Sequence, residues 1–223
     1  AKFLGVIIDK NLKWEQHAKY VKQKIAKGIG IILKARKYFN KDTLLSLYYT
    51  MILPYLSYCI HVWGSAYHVH LNDIVILQKK IVRIICGVVP RSHTEPLYKE
   101  LGILNVNQIY QYSVGLFMFK FVNKMFPSLL FDNMFTFTTD VHNYNTRQSQ
   151  LLYVPYCSTT RSQKTIRYTG TRIWNSFSNK INTQCVISTF KKNLKLILLN
   201  NNFKSSQVKS RGFINISKYT FTI

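Results

Sequence analysis

Residues 14–39 read WEQHAKYVKQKIAKGIGIILKARKYF. Trp14, Ala18, Val21, Ile25, Ile29 and Ile32 recur at steps of four, three, four, four and three. At about 100° per residue they fall within one stripe, so this stretch is expected to be a helix with one packed side. Lys19, Lys27, Lys34 and Lys37 fall on the opposite side, with Lys13, Lys22 and Lys24 on the flanks. After Glu15 there is no acid until Asp42, whereas a solvated surface helix usually alternates signs. The lysine side is either a solvated face or a face for phosphates, and the missing acids favour the second. Gly28 lies near the apolar stripe, where a missing side chain permits close helix contact.

Helical patterning continues outward from this stretch. A second helix is expected from Asp42 to Leu53, continuing with a kink past Pro54 to about Trp63, and Gly64 ends it. A third runs from about Leu71 to Cys86 and stops at Gly87 and Pro90. Its packed arc is Leu71, Ile74, Val75, Ile81, Val82 and Ile85, while Lys79, Lys80 and Arg83 cluster on the other side. Thr94-Glu95-Pro96 looks like a helix start, with Thr94 as cap. Asn105 to Lys124 is a helix apolar nearly all round, as expected of one that is central or lies in an interface.

From Phe131 the pattern changes. Residues 132–149 are rich in Thr, Asn and Asp and are expected to form a loop. Leu151–Val154 and Thr165–Thr169 suit strands, with Gly170 ending the second. Arg172-Ile173-Trp174 opens a short helical stretch, and Ser188 caps a last helix with Phe190, Leu194, Ile197 and Leu198 as its stripe. The Asn- and Ser-rich segment after Asn200 reads as a poorly ordered tail. The expected class is mainly α: a helical bundle, then a small α+β region with a β-hairpin and a terminal helix. At the other end, Phe3–Asp9 reads as a buried strand. A core strand two residues after Ala1 makes a piece of a longer chain the expectation.

The whole sequence has 223 residues and a formal net charge of +23, from 31 Lys or Arg against eight Asp or Glu. With 15 Tyr, 14 Phe and 3 Trp it has too much area to bury for a disordered chain. The charge points to a polyanionic partner. It is uneven: residues 141–223 hold 13 Lys or Arg and no acid. Four Cys, at 59, 86, 157 and 185, form no C-x-x-C pair, so no metal site is expected and packed thiols in a reducing compartment are. Thr43–Gly64 is uncharged and about as long as a membrane helix, but Pro54 and scattered polar groups favour a buried helix pair, and no membrane partner is expected.

Several short stretches recur together in one known family. They are Phe3-Leu4-Gly5-Val6, Lys34-Ala35-Arg36-Lys37-Tyr38, Leu47-Tyr48-Tyr49 with Pro54-Tyr55-Leu56, and Trp63-Gly64. Leu77-Gln78-Lys79-Lys80 with Arg83-Ile84-Ile85, and His93-Thr94-Glu95-Pro96-Leu97, follow. The later ones are Tyr144-Asn145-Thr146-Arg147, Tyr168-Thr169-Gly170, Ile173-Trp174-Asn175-Ser176 and Phe190-Lys191-Lys192-Asn193-Leu194. In their order and spacing over about residues 2–199, they resemble the end of the reverse transcriptase of a non-LTR (LINE-type, jockey-like) retrotransposon.

The resemblance implies a division of labour. Residues 1–9 would end the palm, with Phe3, Leu4 and Gly5 as a primer-grip-like strand. Residues 10–90 would be a thumb-like bundle, 91–130 connecting helices, and 131–199 a C-terminal region meeting template RNA or target DNA. The expected phosphate contacts are Lys19, Lys27, Lys34 and Lys37, with Lys79, Lys80 and Arg83, on template–primer duplex. Arg147, Arg161, Arg167, Arg172, Lys191, Lys192 and Lys195 would serve the later region. Arg147 could equally bond loop carbonyls. Trp14, Trp63 and Trp174 read as core anchors rather than base-stacking rings, and His93 as a loop hydrogen-bonder.

The expected partners are therefore RNA template, RNA/DNA duplex, target DNA and an upstream polymerase palm, with a nuclear and cytoplasmic location. Polymerase chemistry needs clustered aspartates holding Mg²⁺. The family carries a Tyr-x-Asp-Asp motif, but here the acids are Asp9, Glu15, Asp42, Asp73, Glu95, Glu100, Asp132 and Asp140, no two adjacent. Catalysis and Mg²⁺ binding by this chain alone are not expected, and the zinc-knuckle spacing of some related elements is also missing. The competing expectation is a stand-alone basic helical module that binds RNA or a protein.

Overall fold

The computed structural model describes residues 1–127, 131, 134–141, 151–178, 181 and 185–200. It is mainly helical, with one small antiparallel hairpin. That hairpin is β1 (Lys2–Phe3) and β2 (Val6–Ile7), pairing Lys2 with Ile7 and Phe3 with Val6. Leu4 and Gly5 between them have φ of 43° and 81°. Two positive φ values in a two-residue loop suit the right-handed twist of a hairpin, and glycine supplies one without strain. The buried strand expected over 3–9 is thus folded back on itself, and within it only Val6 is fully buried.

α1 (Glu15–Ala35) follows a turn held by Asp9, whose carboxylate accepts from the Lys13 and Trp14 N–H groups. Its buried residues are the expected stripe from Ala18 to Ile32, with His17 and Gly28 added, while Trp14 precedes the helix and is half-buried. α2 (Lys41–Met51) is capped by Asn40, which accepts from the Thr43 N–H. The kink falls at Ile52, because Pro54 sits in the first turn of a new helix, α3 (Leu53–Ser57). α4 (Ile60–Trp63) completes the broken pair. α5 (His68–Cys86) packs chiefly on α1. Lys22 meets Asp73 near the starts of these helices, and Arg36 lies against Gly87 at their ends, so they run in the same direction. α6 (Glu95–Leu101) starts at the expected place, but the Thr94 side chain does not cap it.

α7 (Val106–Val122) opens with a capping box between Asn105 and Gln108. Its first turns, through Val106 and Ile109, belong to the core made by α1 to α6. Its later turns, through Val114, Met118 and Phe119, belong to a second core. There they meet α9 (Ile166–Ser178) and α10 (Ile187–Asn200). A short helix, α8 (Thr138–Val141), and an isolated antiparallel bridge between Phe137 and Leu152 close that core on one side.

The structure corrects the later strands. Leu152 does lie extended, but it pairs with Phe137 rather than with residues 165–169. Thr165 precedes α9, its carbonyl accepting the Thr169 N–H, and the Thr- and Ile-rich run winds as a helix. Gly170 continues that helix instead of ending a strand. A Cβ there would lie 2.9 Å from the Met118 sulfur, so the glycine lets α9 approach α7. Tertiary packing here overrides β-branched propensity. The last helix likewise starts at Ile187, so Ser188 lies inside it rather than capping it. Of the loop expected over 132–149, residues 134–141 are described. Arg147 and the tail after Asn200 lie outside the described residues.

One polar side chain sits at the centre of the first core. Gln78 is fully buried and makes four hydrogen bonds. Its Nε2 donates to the Tyr48 hydroxyl and the Leu104 carbonyl, each at 2.9 Å. Its Oε1 accepts from the Val106 N–H at 2.9 Å and the Tyr98 hydroxyl at 3.3 Å. α2, α5, α6 and the start of α7 are therefore joined through one amide. Burial pushes the Tyr48 and Tyr98 hydroxyls far above the ordinary tyrosine range, so both stay neutral.

Candidate nucleic-acid interface

α1 keeps its stripe against the core and turns Lys19, Lys27 and Lys34 to solvent. Lys37 is also exposed but lies in the turn beyond the helix end. These lysines are not equivalent. Lys19 pairs with Glu15 at 2.7 Å, and that bond holds the Glu15 carboxyl below its ordinary value. Lys22, on the flank, pairs with Asp73 at 2.8 Å. Lys27 and Lys34 are in neither pair. They stand seven residues apart, about 10 Å along the axis, or roughly three base steps of a duplex. On the other flank the ammonium groups of Lys2 and Lys24 converge on the Tyr20 ring, at 5.8 and 5.5 Å.

On α5, Lys79 and Lys80 are exposed, whereas Arg83 is half-buried. The Arg83 Nε donates to the Ser92 carbonyl at 2.9 Å, which fastens the turn after α5. By helical phase Lys79, Arg83 and Lys80 fall within about 100° of one another, opposite the buried arc of α5, with Lys80 nearest the shoulder of Asp73. The expected cluster thus shares one face, and one member has a structural bond.

The second core displays its cations more widely. Arg161, Arg167, Arg172, Lys191 and Lys192 are exposed, and Lys195 is half-buried. The Arg167 Nε donates to the Met134 carbonyl at 3.0 Å, and Arg172 lies 5.6 Å from the Tyr168 ring. Lys164, not singled out from sequence, places its ammonium 3.5 Å from the Tyr67 ring, at the start of α5. Burial there lowers the Lys164 pKa. Nothing local in the sequence marks it, since Tyr67 is almost a hundred residues away.

Phe3, Leu4 and Gly5 form the exposed tip of the hairpin. The Tyr58 hydroxyl donates to the Leu4 carbonyl at 2.6 Å, and the His17 Nδ1 accepts from the Ile7 N–H at 3.3 Å, so both arms are tied to the bundle. Trp63 and Trp174 are buried and Trp14 half-buried, while His93 stands exposed before α6. Among the described residues no three His, Cys, Asp or Glu side chains come together as a metal-holding group. No described helix is long and apolar enough to cross a membrane.

The chain is similar to curated proteins of known origin. It is 35% identical over 89 residues to an RNA-directed DNA polymerase from mobile element jockey of Drosophila funebris, covering 39% of this chain and 10% of that protein. It is 25% identical over 109 residues to a probable RNA-directed DNA polymerase from transposon X-element of Drosophila melanogaster, covering 48% and 12%. The jockey protein of Drosophila melanogaster is 29% identical over 106 residues, covering 46% and 12%. The matched part of the chain thus spans about a tenth of the length of these relatives. No family model and no solved structure matches. The similarity supports a fragment of a LINE-type reverse transcriptase.

Proposed function

We propose, with that similarity as premise, that the chain is the nucleic-acid-gripping C-terminal part of a retrotransposon RNA-directed DNA polymerase. The first core would act as its thumb, holding template–primer duplex. The second would meet template RNA or target DNA, and an upstream palm would be the protein partner, in nucleus and cytoplasm. The catalytic aspartates and their Mg²⁺ would belong to that palm, so this chain alone would not polymerise.

The observation that carries this reading is the pair Lys27 and Lys34. They are exposed, outside the described ion pairs, and backed by a helix stripe that is almost fully buried. Such a helix presents charge without moving, which suits contacts to backbone phosphates that need no sequence readout. Lys19 contributes less in this reading, because a phosphate must compete with Glu15.

The test is binding of a blunt RNA/DNA duplex, followed across a salt series. Affinity is expected to fall steeply as salt rises, with a log–log slope of about −0.9 per phosphate neutralised. Reversing Lys27 and Lys34 to Glu is expected to weaken binding about 10- to 100-fold on every sequence and to flatten the slope. Unchanged affinity after that double reversal would remove the assignment.

A further inference from the structure

We infer that the turn between α1 and α2 is a stacking platform for an unpaired RNA strand. Residues 34–39 are Lys-Ala-Arg-Lys-Tyr-Phe, and Lys34, Arg36 and Lys37 are all exposed. So are both rings: Tyr38 is 82% and Phe39 54% exposed. A tyrosine in this position leaves nearly its whole ring in water, although the first core lies one helix turn away.

The turn is firmly built. The Tyr38 and Phe39 N–H groups both donate to the Ala35 carbonyl, at 2.9 and 3.0 Å. Asn40 then closes it by capping α2, accepting from the Thr43 N–H at 3.0 Å and the Thr43 hydroxyl at 2.7 Å. The Arg36 guanidinium reaches back to the end of α5, where it lies 3.6 Å from the position a Cβ would take on Gly87. Two rings are thus presented on a rigid backbone, beside three cations. Of the acids at this end, Glu100 is engaged by Lys41, and Asp42 sits in the first turn of α2, where a helix N-terminus favours a negative charge. Cations beside an open ring fit a strand whose phosphates are paired electrostatically and whose bases are free to stack. A duplex keeps its base faces covered, so it can use the lysines but not the rings.

This inference rests on the proposed nucleic-acid reading and adds the strandedness and the residues. Its test uses the full chain, a labelled U20 RNA, a dT20 strand and a blunt RNA/DNA duplex, all by fluorescence anisotropy. Tyr38→Ala is expected to weaken U20 binding about 5- to 100-fold while changing duplex binding less than twofold. Tyr38→Trp is expected to restore it, and thermal melting of both variants is expected to match the unaltered chain because Tyr38 is 82% exposed. No loss on U20, an equal loss on U20 and duplex, or binding of dT20 without U20 overturns the platform. Of these, unchanged U20 binding by Tyr38→Ala would point to a protein partner on the rings instead. If the unaltered chain binds duplex but not U20, the platform fails and the duplex reading stands; if it binds neither, both fail.

Discussion

The first core is filled mostly by branched aliphatic side chains, among them Ile25, Ile32, Ile52, Ile60, Ile74 and Ile81, whereas rings dominate the second. In the second, Phe190 stacks on Phe119 with centroids 4.2 Å apart and leans on Trp174 at 6.1 Å. The cores also differ in how they handle polarity. The first has a buried amide hub and the described ion pairs Lys19–Glu15, Lys22–Asp73 and Lys41–Glu100. The second carries its cations in a stretch with no acid after Asp140. Aliphatic stripes fix which face of a helix is buried but leave register loose. A buried amide with four partners removes that freedom. Ring stacks provide both area and direction, so the second core needs no such hub.

The largest expected effect comes from breaking the hub. Gln78→Leu keeps the volume but leaves two tyrosine hydroxyls, a carbonyl and an N–H without their partner. It is expected to destabilise the first core by about 3–5 kcal/mol, read by chemical denaturation. Gln78→Glu, which keeps acceptors but loses both amide donors, should also destabilise it; a neutral outcome for both would mean the hub does not specify the core. Phe190→Ala is expected next, at about 3–4 kcal/mol. Its signature should be local: Trp174 fluorescence shifts toward that of an exposed indole while Trp63, in the first core, is unmoved. A smaller effect should follow Lys164→Met, which removes the cation over Tyr67 that links the cores. About 1 kcal/mol is expected, seen as two melting steps drawing apart rather than one falling.

The smallest is a pH effect, and it belongs to the first core and its border. Burial lowers the pKa of both His17 and His61 below the ordinary 6.5. The unfolded chain therefore takes up protons below about pH 6.5 that the folded chain refuses. Stability is complete above that value and declines as pH falls through it toward the folded pKa. His17→Gln, which can still accept the Ile7 N–H, should flatten this decline; an unaltered pH profile would show that His17 does not titrate with folding.

The two cores also differed in how far the sequence revealed them. α1 could be read residue by residue, because six apolar positions at helical steps leave one face for the core. The Lys19–Glu15 pair was not drawn from the sequence, which placed Lys19 among the phosphate contacts, although four residues separate the two on one helix face. Lys22–Asp73 and Arg83–Ser92 were not legible, because only the docking of α5 brings those partners together. Gln78 gave a signal that was easy to pass over: a polar residue in the middle of an apolar arc. In the second core the start of the helix at 166–178 read as a strand over 165–169, and only its part from Arg172 read as helical. Its Thr and Ile residues favour extended backbone locally, and the closeness of Gly170 to Met118 that rewards a helix is a contact 52 residues away in sequence. Hence the lysine side of α1 was visible early, while the spread of cations on the second core required the fold.

α7 contributes to both cores, and its first N–H is held by the Gln78 hub. Its 17 residues make a rod of about 25 Å. A rod held in both cores couples their stabilities, because loosening either core strips packing from a helix that the other also uses.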